Sequence, residues 1–99
     1  MTKACEIFID MIEKEQFYKA HEVLEEIWFP RRKTKDDETL ILKGFINASV
    51  ALELNKRGKR EKALKVWKTY EKYKILIETE PFAKVAKILD NSRLRHLLK

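Results

Sequence analysis

The sequence predicts an all-α fold: a small bundle of four to five helices, packed mostly antiparallel, in a single domain covering residues 1–99. Three observations predict it. Apolar residues recur at three- and four-residue steps along most of the chain, the period of a helix with one buried face. Only two Gly and two Pro occur in 99 residues, too few to punctuate the hairpins of a sheet. Sixteen Lys and twelve Glu, good helix formers both, carry most of a charged share of 38%, against a usual share of about 25%.

The first helix is expected from about Lys3 to Lys14, with Thr2 as its N-cap and Ala4, Ile7, Phe8, Met11 and Ile12 on its inner stripe. A break near Glu15 leads to a second helix, about Gln16 to Phe29, with Phe17, Ala20, Leu24, Ile27 and Trp28 inside. Pro30 ends it, because the residue before a proline is disfavoured in the helical region. After the basic loop from Arg31 to Lys35, Asp36 and Asp37 suit the positive end of a third helix. That helix runs to about Arg57, with Gly58 as a C-terminal cap. The stretch from Leu40 to Leu54 is nearly all apolar or small, which places this helix at the centre of the bundle. A fourth helix, about Arg60 to Ile77, turns Ala63, Val66, Trp67, Tyr70 and Tyr73 inward and Lys62, Lys65, Lys68 and Lys72 outward, and Glu80-Pro81 closes it. A short fifth helix from Phe82 to Leu89 has Val85, Ile88 and Leu89 inward; Asp90-Asn91-Ser92 breaks the chain before a last turn ending in Leu97 and Leu98. One internal echo stands out: Lys19-Ala20-His21-Glu22-Val23 and Lys62-Ala63-Leu64-Lys65-Val66 share Lys, Ala and Val 43 residues apart, a period that a pair of helices can give.

Composition excludes several classes. Cys5 is the only cysteine, so neither an intrachain disulfide nor a thiolate zinc site can form, and a reducing, cytoplasmic setting is expected. Met1 to Cys5 lacks the apolar core of a signal peptide, and no apolar run approaches the roughly 20 residues that span a bilayer. No membrane partner, cofactor or metal is called for. The net charge of +6 makes this a basic protein and permits, without demanding, a polyanionic partner. The abundance of Lys and Glu hints at a thermophilic source.

The informative side chains cluster on the second and third helices. His21, Glu25 and Trp28 follow at steps of four and three and share one face, with Glu22 one step round. Across the bundle the third helix offers Lys43, Gly44 and Asn47. A glycine inside a helix costs about 1 kcal/mol relative to alanine, which points to close approach of a neighbour at Gly44. An amide such as Asn47 in the most apolar stretch needs partners, and His21 or Glu25 would supply them.

Phe17-Tyr18-Lys19-Ala20-His21-Glu22-Val23-Leu24-Glu25-Glu26-Ile27-Trp28 resembles the hallmark of the domain of unknown function 309 family. Leu42-Lys43-Gly44-Phe45-Ile46-Asn47-Ala48-Ser49-Val50-Ala51-Leu52 resembles a second block of that family, and Lys56-Arg57-Gly58-Lys59 followed by Ala63-Leu64 a third. The family pattern has glutamine where this chain has Lys43 and Asn47, and often asparagine where it has Lys59. The resemblance implies a compact, intracellular helical bundle and brings no activity with it.

Three uses of these residues follow. The first is a binding or interaction module with a polar pocket between helices two and three, lined by His21, Glu22, Glu25, Trp28, Gly44 and Asn47, for a small molecule or a protein. The second is a small enzyme, hydrolytic or metal-assisted, with Glu22 or Glu25 as general base beside His21. The third is nucleic-acid binding through a basic surface, either Arg31, Arg32, Lys33 and Lys35 or the lysine stripe of helix four. A structural network that fixes helix register would use the same polar residues. Leu94, Leu97 and Leu98 offer a route to a homo-oligomer.

Overall fold

The computed structural model describes residues 1–96, so the expected turn at Leu97 and Leu98 lies outside the described residues. Five helices follow one another: α1 (Thr2–Glu13), α2 (Phe17–Trp28), α3 (Asp37–Lys56), α4 (Arg60–Lys74) and α5 (Phe82–His96). No strand occurs among the described residues. None of the helices is long and apolar enough to cross a membrane.

The long apolar run of α3 decides the architecture. Ten of its 20 residues are buried, spread around the helix, so it can only sit inside. It packs on α2, α4 and α5, while α1 closes against α2 and α5. Phe45 of α3 is fully buried, with its ring centroid 6.2 Å from Phe8 of α1, 6.2 Å from Tyr70 of α4 and 5.8 Å from Phe82 of α5. Around it, Trp67 and Tyr70 from α4, Leu24 from α2 and Leu89 from α5 complete the core.

The start of α3 is tied more firmly than its acids alone require. Asp36 is the N-cap, accepting the Thr39 amide at 3.0 Å. Arg31 then donates to the Thr39 hydroxyl at 3.0 Å, to Glu38 at 2.6 Å and to Asp36 at 3.3 Å. The bonds from Thr39, with Arg31 close by, hold the Asp36 carboxyl below its ordinary range.

Two helix-to-helix turns repeat one another. Lys14 and Arg57 close α1 and α3 with φ near −86° and ψ of 5° and 8°. Glu15 and Gly58 follow in the left-handed region, at φ 59° and 82°. Gln16 and Lys59 then open the next helices, at φ −94°, ψ 63° and φ −100°, ψ 63°. The capping bonds match as well: Gln16 donates to the Met11 carbonyl at 2.8 Å and Lys59 to the Leu54 carbonyl at 2.9 Å, the six-to-one bond of a Schellman cap. Ala20 and Ala63 lie five residues past the left-handed positions and are both fully buried. The echo in the sequence, 43 residues apart, therefore has a counterpart in the backbone, with α1–α2 and α3–α4 as two helical hairpins joined by the same turn. The turns meet at one end of the bundle, where Lys56 Nζ donates to the Glu15 carbonyl at 3.2 Å.

The two copies of this turn differ in cost. A left-handed conformation is free for Gly58 and costs an L-residue such as Glu15 roughly 1–2 kcal/mol. Glu15→Gly is therefore expected to stabilise the fold by about 0.5–1 kcal/mol after the extra chain entropy of glycine is deducted, a rise of ~4–8 °C in Tm per kcal/mol. A thermal melt with an unchanged or lowered Tm contradicts this account of the turn.

The structure corrects several local expectations. Helix α1 starts at Thr2, and its N-cap position is Met1, with no side-chain capping bond. Cys5 takes the inner place assigned to Ile7, which is 40% exposed. Phe29 stays helical, at φ −56° and ψ −47°, despite preceding Pro30. The proline lacks the amide hydrogen for the next α-type bond and its ring crowds the carbonyl four residues back, so the chain tightens into a 3-10 turn over Phe29–Arg31. Helix α4 stops at Lys74, before Ile77. Helix α5 runs unbroken through Asp90-Asn91-Ser92 to His96. Its contacts override those residues' preference for turns: Asp90 accepts from the Tyr70 hydroxyl and from Lys74, and Ser92 is buried. Burial, followed by the Asp90 charge, pushes the Tyr70 hydroxyl well above its ordinary value, so it serves as a donor.

Candidate functional site

His21 sits on α2 with its side chain only 15% exposed. Its Nδ1 donates to the Tyr18 carbonyl at 2.8 Å, three residues back on the same helix. That bond turns Nε2 toward Glu25, whose Oε2 lies 3.4 Å away and whose side chain is 49% exposed. The Tyr18 ring stands edge-on to the imidazole at 4.9 Å. Spacings of three and four residues on one helix place these three groups on one face, as the sequence requires.

What faces them is the C-terminal half of α3. Val50, Glu53, Leu54 and Arg57 join Tyr18 and His21 around a groove of about 240 Å³. Val50 and Leu54 form an apolar floor. Glu53, with a side chain 17% exposed, accepts from Arg57 Nε at 2.7 Å, one turn on. The Arg57 guanidinium lies 6.0 Å from the centre of the Tyr18 ring. The groove therefore gathers an aromatic face, an imidazole, a carboxylate and a guanidinium over two aliphatic side chains.

The other residues named from the sequence go elsewhere. Gly44 is buried, and its close approach is to α4, not α2: a Cβ added there would meet Tyr73 Cβ at 3.3 Å and Tyr70 Cα at 3.5 Å. The notch is thus filled by the α4 backbone and leaves no gap for Trp28, which packs against the core half-buried. Asn47 donates its amide to the Lys43 carbonyl at 2.8 Å, so the partner expected from α2 is supplied by its own helix. Glu22 and Glu25 line a separate, open depression with Glu26 and Phe29. Among the described residues, no three His, Cys, Asp or Glu side chains converge as a metal ion would need.

Tyr18, Val50, Glu53, Leu54 and Arg57 escaped the sequence reading. Two signals pointed to them: Tyr18 lies three residues before His21, and Glu53 and Arg57 are spaced as an ion pair on one helix. The two basic segments also differ. In the α2–α3 loop, Arg31 is spent on Asp36, Glu38 and Thr39, and Arg32 lies over the Phe29 ring at 3.9 Å while donating to the Phe29 carbonyl.

Neither the curated proteins nor the solved structures contain a match to this chain. A family model does match, described as Domain of unknown function (DUF309), over residues 6–66. That span takes in the α2 face around His21, the α3 residues opposite it and both repeated turns, and the chain belongs to this family.

Proposed function

We propose that this domain is a binding module whose ligand occupies the groove between Tyr18 and His21 of α2, Val50, Glu53 and Leu54 of α3, and Arg57 just after it. The observation that carries the reading is the convergence of four polar or aromatic groups of different chemistry over an apolar floor, the usual composition of a small-molecule site. Val50, Leu54 and the Tyr18 ring suit a small apolar or aromatic body. Arg57, whose terminal nitrogens are not taken by Glu53, suits an anionic or hydrogen-bond-accepting end, while the His21 ring forms part of the wall. Glu25 acts as a positioning residue, holding the imidazole from the side away from Tyr18. The reading keeps His21 and Glu25 from the sequence-derived set and draws the rest of the lining from the end of α3.

Amide chemical-shift mapping with a panel of small aromatic carboxylates tests it. The expected result is a set of perturbations at Tyr18, His21, Val50, Leu54 and Arg57, with His21→Ala and Arg57→Ala each weakening the best binder by about tenfold, or ~1.4 kcal/mol. Perturbations confined to other surfaces, or affinities untouched by both substitutions, overturn the reading.

A further inference from the structure

The charges are unevenly shared along the chain: fourteen of the 22 Lys and Arg lie from Lys56 onward, against five of the 16 acids. Much of this excess lies on α4. Lys62, Lys65, Lys68 and Lys72 are all exposed and follow one side of the helix at steps of three, three and four. Lys59 and Arg60, exposed too, extend the cationic stretch at its start. Among the described residues, none of these six lies within 4.0 Å of a carboxylate, whereas Lys74, at the far end, is taken by Asp90.

Packing does not dictate this arrangement. Through the repeated turn, Lys65 and Lys68 of α4 correspond to Glu22 and Glu25 of α2, so the same outward positions of the same hairpin accept either sign. We infer that the outer face of α4 is a nucleic-acid-binding surface that contacts the phosphate backbone of a duplex through Lys62, Lys65, Lys68 and Lys72. At 1.5 Å per residue the four lysines span about 15 Å of helix. One strand of a duplex presents a phosphate every ~3.4 Å, so about four phosphates face that length. Of the two acids on α4, Glu71 lies roughly a third of a turn away from the stripe, and Glu61 stands beside Lys62 and Lys65. A lipid surface fits less well: the apolar side of α4, Ala63, Trp67 and Tyr70, is already buried in the bundle, which leaves nothing to lay into a bilayer. The acidic α2 of a second copy fits less well too: it offers three acids to four lysines, and the exposed Phe29 among them has, among the described residues, no exposed apolar counterpart along the stripe.

The test is fluorescence anisotropy with a labelled DNA duplex of arbitrary sequence, titrated between 50 and 200 mM salt. The affinity is expected to fall by roughly 150-fold over that range, a log–log slope of about −3.6 for about four phosphates. The double variant Lys65→Gln/Lys68→Gln reduces the slope by about 2 and Glu61→Gln tightens binding, while Arg32→Gln/Lys33→Gln in the other basic segment behaves as wild type. All these sites are exposed, and a melting curve checks that each variant is folded. The inference is overturned by a slope that ignores the α4 substitutions, by loss of binding in the loop variant instead, by equal affinity for vesicles containing phosphatidylserine, or by salt-sensitive self-association with no duplex binding. These readouts are independent of the α2–α3 groove, so either proposal can fail alone.

Discussion

Phe45→Ala is expected to cost about 3–5 kcal/mol, the range for truncating a fully buried aromatic side chain. The side chain is fully buried, and its ring meets aromatic rings from α1, α4 and α5. Removing it leaves a void bordered by three different helices, which cannot all move in to close it. A domain of this size has roughly 5–15 kcal/mol in total, so the loss is a large part of its stability and, at the lower end of that range, all of it. Urea denaturation checks this: the midpoint falls sharply and the slope stays near wild type. A loss under about 1.5 kcal/mol would show that the helices collapse around Phe45 more freely than their packing suggests.

Gly44→Val is expected to cost about 2–3 kcal/mol, whereas Gly44→Ala stays within about 1 kcal/mol of wild type. The alanine methyl would sit 3.3 Å from Tyr73 Cβ, tight but movable, and the higher helix propensity of alanine offsets the squeeze. Valine adds two methyl groups next to the Tyr70 backbone, 3.5–3.7 Å from the new Cβ, and backbone does not yield as a side-chain tip does. The separation of α3 and α4 then has to widen. The same pair of variants tells a helix contact from a ligand pocket: were Gly44 open to a ligand, valine would fall below alanine only by its weaker helix propensity, about 0.5 kcal/mol. A difference no larger than that between the two variants refutes the close contact with α4.

The sequence carried the helices better than it carried their register. Asp36 and Gly58 mark the two ends of α3 through capping chemistry that is local, and local chemistry can be read from a string of residues. Asp90-Asn91-Ser92 misled because its turn preference is local too, while the bonds that override it come from Tyr70 and Lys74, some twenty residues away. The candidate site also depends on contacts between distant parts of the chain. His21 is legible from its neighbours on α2, but Gly44 and Asn47 do not join it: the first packs on α4 and the second bonds to the Lys43 carbonyl. The 3-10 turn at Phe29–Arg31 and the Arg31 bonds to Asp36, Glu38 and Thr39 tie the start of α3 to the end of α2, and Val50, Glu53, Leu54 and Arg57 line the groove with His21. No residue pattern encodes that arrangement directly; it depends on how a loop folds back.

The matching bends after Lys14 and after Arg57 have a consequence for how such a chain can change over time. A hairpin used twice is held by a few inward positions, of which Ala20 and Ala63 are one pair, and these leave the outward positions free to diverge. One half can then specialise in recognition while the other keeps the architecture intact, and neither has to be invented anew. Two surfaces of opposite polarity on one small scaffold are what that freedom permits.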